Sequence, residues 1–184
     1  MIGPFRILAV CTGNVCRSPA VERLLTAGLD GSDVVVSSAG TGALVGAPIS
    51  APMATLLQEA GADPTGFAAR QVTPQLLEDA DLVLALTRRH RTAVVELAPS
   101  TVRRAFTVRE LAALLVHVDT SELPAGGPGV RLRELAARAR AARRPLPADT
   151  LDVIDPWQGD AERYARSFAE LRPAVARILA LSRP

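Results

Sequence analysis

A short apolar segment, Phe5-Arg6-Ile7-Leu8-Ala9-Val10, runs straight into Cys11-Thr12-Gly13-Asn14-Val15-Cys16-Arg17-Ser18-Pro19. A helical pattern opens at Arg17 and carries Ala20, Val21, Leu24, Leu25 and Leu29 on one stripe. Strand, small-residue loop and helix in that order form the opening half of a parallel-sheet crossover. A loop so short puts the helix N-terminus beside the carboxyl end of the strand. The rest of the chain keeps this rhythm. Val34-Val35-Val36 reads as a second strand within 33–38, and 50–60 as a helix stopped by Gly61. Leu82-Val83-Leu84-Ala85-Leu86 is apolar throughout, as in a strand covered on both faces. Helices follow at 88–97, 108–115 and 161–181, with a further strand at 102–106. Strands alternating with helices predict an α/β fold.

At 184 residues the chain reads as one domain spanning 1–184. One stretch departs from the rhythm: Pro124-Ala125-Gly126-Gly127-Pro128-Gly129, an Arg/Ala-rich helix over 130–144, then Pro145-Leu146-Pro147. This region, about 117–149, is expected to be an insertion. Its arginines are either a solvated helix face or a docking surface for an acidic partner.

Composition narrows the function classes. A net charge of +2 gives no case for nucleic acid, and 3% aromatics supply no stacking platform for single strands. No apolar run reaches membrane-spanning length and no signal-peptide pattern is evident, so no membrane partner is expected. The two cysteines, Cys11 and Cys16, sit too close to staple a fold, which favours a reducing cytoplasmic setting. Their spacing is not a zinc pattern, and only two histidines are present to complete one, so no metal is expected.

The opening loop suits a tetrahedral dianion. Gly13 can adopt positive φ, letting several amides curl inward, and the helix aims its positive end at the same point. Arg17 adds a planar fork matching two phosphate oxygens. The same field favours the thiolate of Cys11, which makes it a nucleophile directed at phosphorus. Ser18 either bonds the Cys11 sulfur or serves as a first-turn serine. Asn14 can bridge loop backbone groups. Cys16 is either a small filler or a partner that captures oxidised Cys11 as a reversible disulfide. Transfer from an ester to sulfur also needs a proton for the leaving oxygen. Asp155, in Asp152-Val153-Ile154-Asp155-Pro156-Trp157, is the candidate acid, stiffened by Pro156 and walled by Trp157, with Asp152 as its competitor.

These residues resemble the low-molecular-weight protein tyrosine phosphatase family, through C-x5-R-S in CTGNVCRSPAVE and the Asp-Pro-aromatic triplet at 155–157. Ser37-Ser38-Ala39-Gly40-Thr41, Ala69-Arg70-Gln71-Val72-Thr73 and Ala80-Asp81-Leu82-Val83-Leu84 are also similar to it. The insertion is like those of actinobacterial members. The resemblance implies a four-stranded parallel sheet of order 2-1-3-4 with helices on both faces. It implies Cys11 as nucleophile, Arg17 as phosphate clamp and Asp155 as general acid/base. The backbone of 12–18 would be the phosphate nest, formed by Thr12, Gly13, Asn14, Val15, Cys16 and Ser18 and supported by Ser38. Leu44 and Trp157 would flank the substrate. It implies a phosphotyrosine protein as substrate, inorganic phosphate or vanadate as inhibitors, and no cofactor. The chain departs from the pattern at Ala43-Leu44-Val45-Gly46, where many members carry aromatics, at Gln158, and at Phe67, where a supporting histidine often lies.

Three other functions compete. An arsenate reductase of the thioredoxin-coupled type would need cysteines that this chain lacks. A protein arginine phosphatase carries threonine where Val15 stands, and a branched apolar group there suits an aromatic ring better than a guanidinium. A non-catalytic phosphate-binding module would be expected to lose the nucleophile or the acid.

Overall fold

The computed structural model describes residues 3–183. Four parallel strands form one sheet: β1 (Phe5–Cys11), β2 (Val34–Gly40), β3 (Leu82–Ala85) and β4 (Ala105–Thr107), in the order β2-β1-β3-β4. The helices are α1 (Arg17–Gly28), α2 (Ala51–Glu59), α3 (Pro74–Glu78), α4 (Arg88–Leu97), α5 (Val108–Leu114), α6 (Pro128–Ala141) and α7 (Ala161–Ser182). Order and direction agree with the expected topology.

The alternation of β1 sorts the two cores. Phe5, Ile7, Ala9 and Cys11 face a large cluster with Val21, Leu25, Leu111, Phe168, Leu171 and Ile178. Leu8 and Val10 face the opposite layer with Leu77, Val83, Val94 and Ala105. A central strand apolar on both faces needs cover on both, and this pins β1 and the loop at its carboxyl end. In register, Cys11 lies beside Gly40 of β2.

Two elements differ from the sequence reading. The strand at 102–106 is only Ala105–Thr107, because Pro99–Arg103 turns as a 3-10 helix before it. The short α3 carries too few apolar positions to show a period; it rests on Thr73, whose side chain accepts from the Leu76 amide.

The 117–149 region is knitted into the body. Leu132, Leu135 and Ala139 of α6 join the larger core cluster. Four of its arginines make bonds within the chain. Arg131 Nε donates to the Leu181 carbonyl, Arg133 pairs with Asp81 over the Phe5 ring, and Arg138 bridges Glu122 and Glu134. Arg143 lies 4.1 Å from the centroid of the Phe106 ring and pairs with the buried Glu110. Arg140 and Arg144 stay exposed. Among the described residues no helix is long and apolar enough to cross a membrane.

Candidate active site

The loop from Cys11 to Arg17 is shaped from outside, by its carbonyls. Thr41, Gly42, Leu44 and Ser50 donate their amides to the carbonyls of Cys11, Thr12, Gly13 and Val15 at 2.8–3.1 Å. With the carbonyls turned outward, the amides of residues 13–16 have no acceptor among the described residues and line a concave nest. The approach of the two loops is close: a Cβ on Gly40 would collide with the Thr12 carbonyl. The positive φ of the loop falls on Asn14 (+55), a conformation asparagine tolerates, and not on Gly13 as the sequence suggested.

Asn14 also orders the polar floor. Its Oδ1 accepts the Arg70 amide at 2.8 Å, which leaves Nδ2 to donate to Ser38 Oγ at 2.8 Å and Ser18 Oγ at 3.0 Å. Ser38 donates its own proton to Glu22 at 2.6 Å. Ser18, supplied with a donor by Asn14, can turn its hydroxyl proton to Cys11 Sγ, 3.0 Å away. Asn14, Ser18 and Ser38 are all buried. The Ser18 proton has two acceptors in reach, Cys11 Sγ and, at 3.4 Å, the Ala39 carbonyl.

Arg17, the first residue of α1, is buried with 4% of its side chain exposed. Its Nη1 donates to the Val153 carbonyl at 3.2 Å and its Nη2 lies 2.5 Å from Asp155 Oδ2. Asp155 itself is 47% exposed at the mouth of the cleft. A tight loop carries it: the Trp157 amide donates to Oδ1, Gln158 takes φ +59, and Arg163 Nε donates to the Asp155 carbonyl at 2.7 Å. The competitor Asp152 is engaged elsewhere. Its Oδ1 accepts the Arg88 amide at 2.7 Å, and the Arg88 guanidinium adds a salt bridge. Partial burial alone would raise the Asp152 carboxyl, but the bonds from Arg88 outweigh it and hold it below the usual range.

Cys11, Thr12, Gly13, Val15, Cys16, Arg17, Leu44, Asp155 and Trp157 line one cleft of about 140 Å³. Leu44 (43% exposed) and Trp157 (45%) form its rim, while Val15 is buried in its wall. Asn14, Ser18 and Ser38 lie behind this lining. Both cysteines are free. Burial pushes the Cys16 thiol up, against hydrogen bonds from Ser50 and Tyr164, and keeps it protonated.

Sequence reasoning missed His90. Buried on the first turn of α4, it contacts Thr12 Oγ1 through Nε2 and Thr87 Oγ1 through Nδ1, both at 2.9 Å. Burial, with the Arg17 charge nearby, pulls its pKa down to about 4, so the ring is neutral. Its position just after an apolar strand was the available signal. Glu22 and Arg70 were also missed: Glu22 accepts from Ser38, while Arg70 donates its amide to Asn14 and its Nε to the Ser38 carbonyl. No cluster of three or more metal-ligating side chains occurs among the described residues.

Residues 6–124 match the family model described as low molecular weight phosphotyrosine protein phosphatase. Over 93 residues the chain is 43% identical to the low molecular weight protein-tyrosine-phosphatase Etp of Escherichia coli (strain K12). That match covers 50% of this chain and 62% of Etp, so it spans less than two thirds of that relative. The low molecular weight protein tyrosine phosphatase of T. tengcongensis superposes with a TM-score of 0.70 at 27% identity, covering 96% of this chain and 98% of that one. The YwlE arginine phosphatase of Geobacillus stearothermophilus gives 0.69 at 29% identity, covering 96% and 92%.

Proposed function

Because this chain belongs to the low molecular weight phosphotyrosine protein phosphatase family, we propose that it hydrolyses aryl phosphate esters, phosphotyrosine in proteins, through a cysteinyl-phosphate. The observation that carries this reading is the meeting of Cys11, Arg17 and Asp155 in one cleft. The family model stops short of Asp155, so the role of the acid rests on geometry.

The steps follow from the positions. The phosphoryl group enters the nest, where the amides of the loop and the Arg17 fork take its oxygens. The Cys11 thiolate attacks phosphorus, and an S–P bond forms as the ester P–O bond breaks. Asp155, released from Arg17 and having taken a proton from solvent, gives that proton to the leaving phenolate oxygen. The resulting Asp155 carboxylate then takes a proton from water, the water oxygen attacks phosphorus, and the P–S bond breaks to release inorganic phosphate. Ser18 donates to the departing thiolate, which lowers the barrier to the second step. Leu44 and Trp157 flank the ring and Val15 gives it an apolar wall. Phosphate and vanadate occupy the same nest as inhibitors.

Phosphoarginine is the second reading, favoured by the likeness to YwlE. Val15 opposes it, since a guanidinium against a buried branched apolar group finds no acceptor there. Turnover compared on phosphotyrosine and phosphoarginine peptides decides between them: the account expects phosphotyrosine to dominate, and the reverse order overturns it. We also read residues 1–184 as one domain in which the 117–149 insertion serves the core, and we place the protein in a bacterial cytoplasm.

A further inference from the structure

Arg17 holds Asp155 in the free protein, yet a phosphoryl group entering the nest needs the same guanidinium. Once Arg17 turns to the substrate, the direct bridge between the nucleophile loop and the acid loop opens. Something else must then keep Cys11 and Asp155 in register.

The first turn of α4 touches both loops. On one side His90 Nε2 meets Thr12, the neighbour of Cys11, at 2.9 Å. On the other, the Arg88 amide and guanidinium hold Asp152. The Val153 amide donates to the Leu86 carbonyl at the end of β3 at 2.9 Å, just before that turn. Arg109 adds a bond to the Asp152 carbonyl at 2.9 Å. None of these bonds uses Arg17 or Asp155, so all can persist with the cleft occupied.

Both nitrogens of the buried His90 ring are paired, Nδ1 with Thr87 Oγ1 and Nε2 with Thr12 Oγ1, and Thr87 Oγ1 also caps the helix by accepting the His90 amide. In either neutral tautomer one nitrogen donates and the other accepts, so the tie to Thr12 stands in both.

We propose that His90 is a positioning residue: with Arg88 on the same turn, it fixes the nucleophile loop and the acid loop to one rigid frame, preserving the Cys11–Asp155 register when Arg17 leaves Asp155 for the phosphoryl oxygens. This rests on the aryl phosphatase reading.

The test compares an ester that needs the acid, phenyl phosphate, with one that hardly does, p-nitrophenyl phosphate. His90→Phe, which fills the ring's volume without its bonds, severs the tie. Because a misplacement of about 1 Å costs roughly 100-fold, it should lower kcat/KM on phenyl phosphate by about 10- to 100-fold and on p-nitrophenyl phosphate by less than about threefold. His90→Gln, whose amide can still donate to Thr12, should recover most of the loss. In an Asp155→Asn background His90→Phe should not lower phenyl phosphate turnover further. Equal losses on both esters, or losses that multiply with Asp155→Asn, overturn the proposal. A second measurement stands apart from turnover: hydrogen exchange at the Val153 amide should stay slow when vanadate saturates the cleft. Faster exchange there shows the acid loop leaving with Arg17 and overturns the frame. Wild-type protein inactive on both esters instead defeats the phosphatase reading, while the exchange result still judges the frame.

Discussion

Arg17 Nη2 and Asp155 Oδ2 stand 2.5 Å apart, closing the cleft mouth with a bridge between a buried cation and a half-exposed carboxylate. The bridge competes with substrate for Arg17. Asp155→Asn should therefore bind vanadate at least as tightly as the wild type, because it frees the guanidinium and removes an anion from the site. The same variant should lose about 100- to 10,000-fold in kcat/KM on poor leaving groups, the range expected for a missing general acid. Inhibition constants and a leaving-group series measure the two arms. Weaker vanadate binding, or an equal loss for all leaving groups, would place the acid elsewhere.

Val15 is the residue whose change should move substrate choice. Val15→Thr puts a hydroxyl against the bound side chain in a buried wall. That hydroxyl offers a guanidinium a hydrogen-bond acceptor and takes apolar surface away from an aromatic ring. The ratio of kcat/KM for phosphotyrosine to that for phosphoarginine should accordingly fall by about tenfold. An unchanged ratio would mean that the rim, not the loop, sets preference.

Leu135 tests whether the inserted helix is structural. It is buried in the larger core cluster from a helix that the sequence makes look like an arginine-rich surface. Leu135→Ala should cost about 2–5 kcal/mol of stability, as large-to-small core changes do. Denaturant unfolding reads it. A cost near zero would make α6 an appendage.

Much of the fold was legible because burial imposes a period. The unbroken apolar run at 82–86 could only be a strand covered on both faces, and α7 shows its stripe over its whole length. Cys11, Arg17 and Asp155 were legible because their chemistry is rare in that arrangement. His90 was not, since a lone histidine after a strand carries no pattern, and its meaning comes from Thr12, far away in sequence. The engaged arginines of the 117–149 region were hidden for a similar reason: stacking of Arg143 on Phe106 and pairing with Glu110 are tertiary facts. A helix of alanine and arginine looks solvated until its partners are placed.

His90 also predicts how stability depends on pH. Its folded pKa, about 4, lies below the ordinary value of 6.5, with burial the main cause and the Arg17 charge next. Between these values the unfolded chain binds the proton and the folded one does not, so stability falls as pH drops from 6.5 toward 4. The loss attributable to His90 between about pH 7 and pH 5 is roughly 2 kcal/mol. Denaturant unfolding of wild type and His90→Gln at both pH values should show the wild type losing more. Parallel losses would mean that the ring is protonated in the folded protein.

The central claim is that Cys11 carries the phosphoryl group between two steps. Rapid quenching of the Asp155→Asn variant during turnover of an aryl phosphate, followed by peptide mass analysis, tests it most directly. The account predicts one added phosphoryl group on the peptide containing Cys11, and none in Cys11→Ser, which should bind vanadate without turning over. Phosphoryl transfer found on another residue, or turnover surviving in Cys11→Ser, would contradict it.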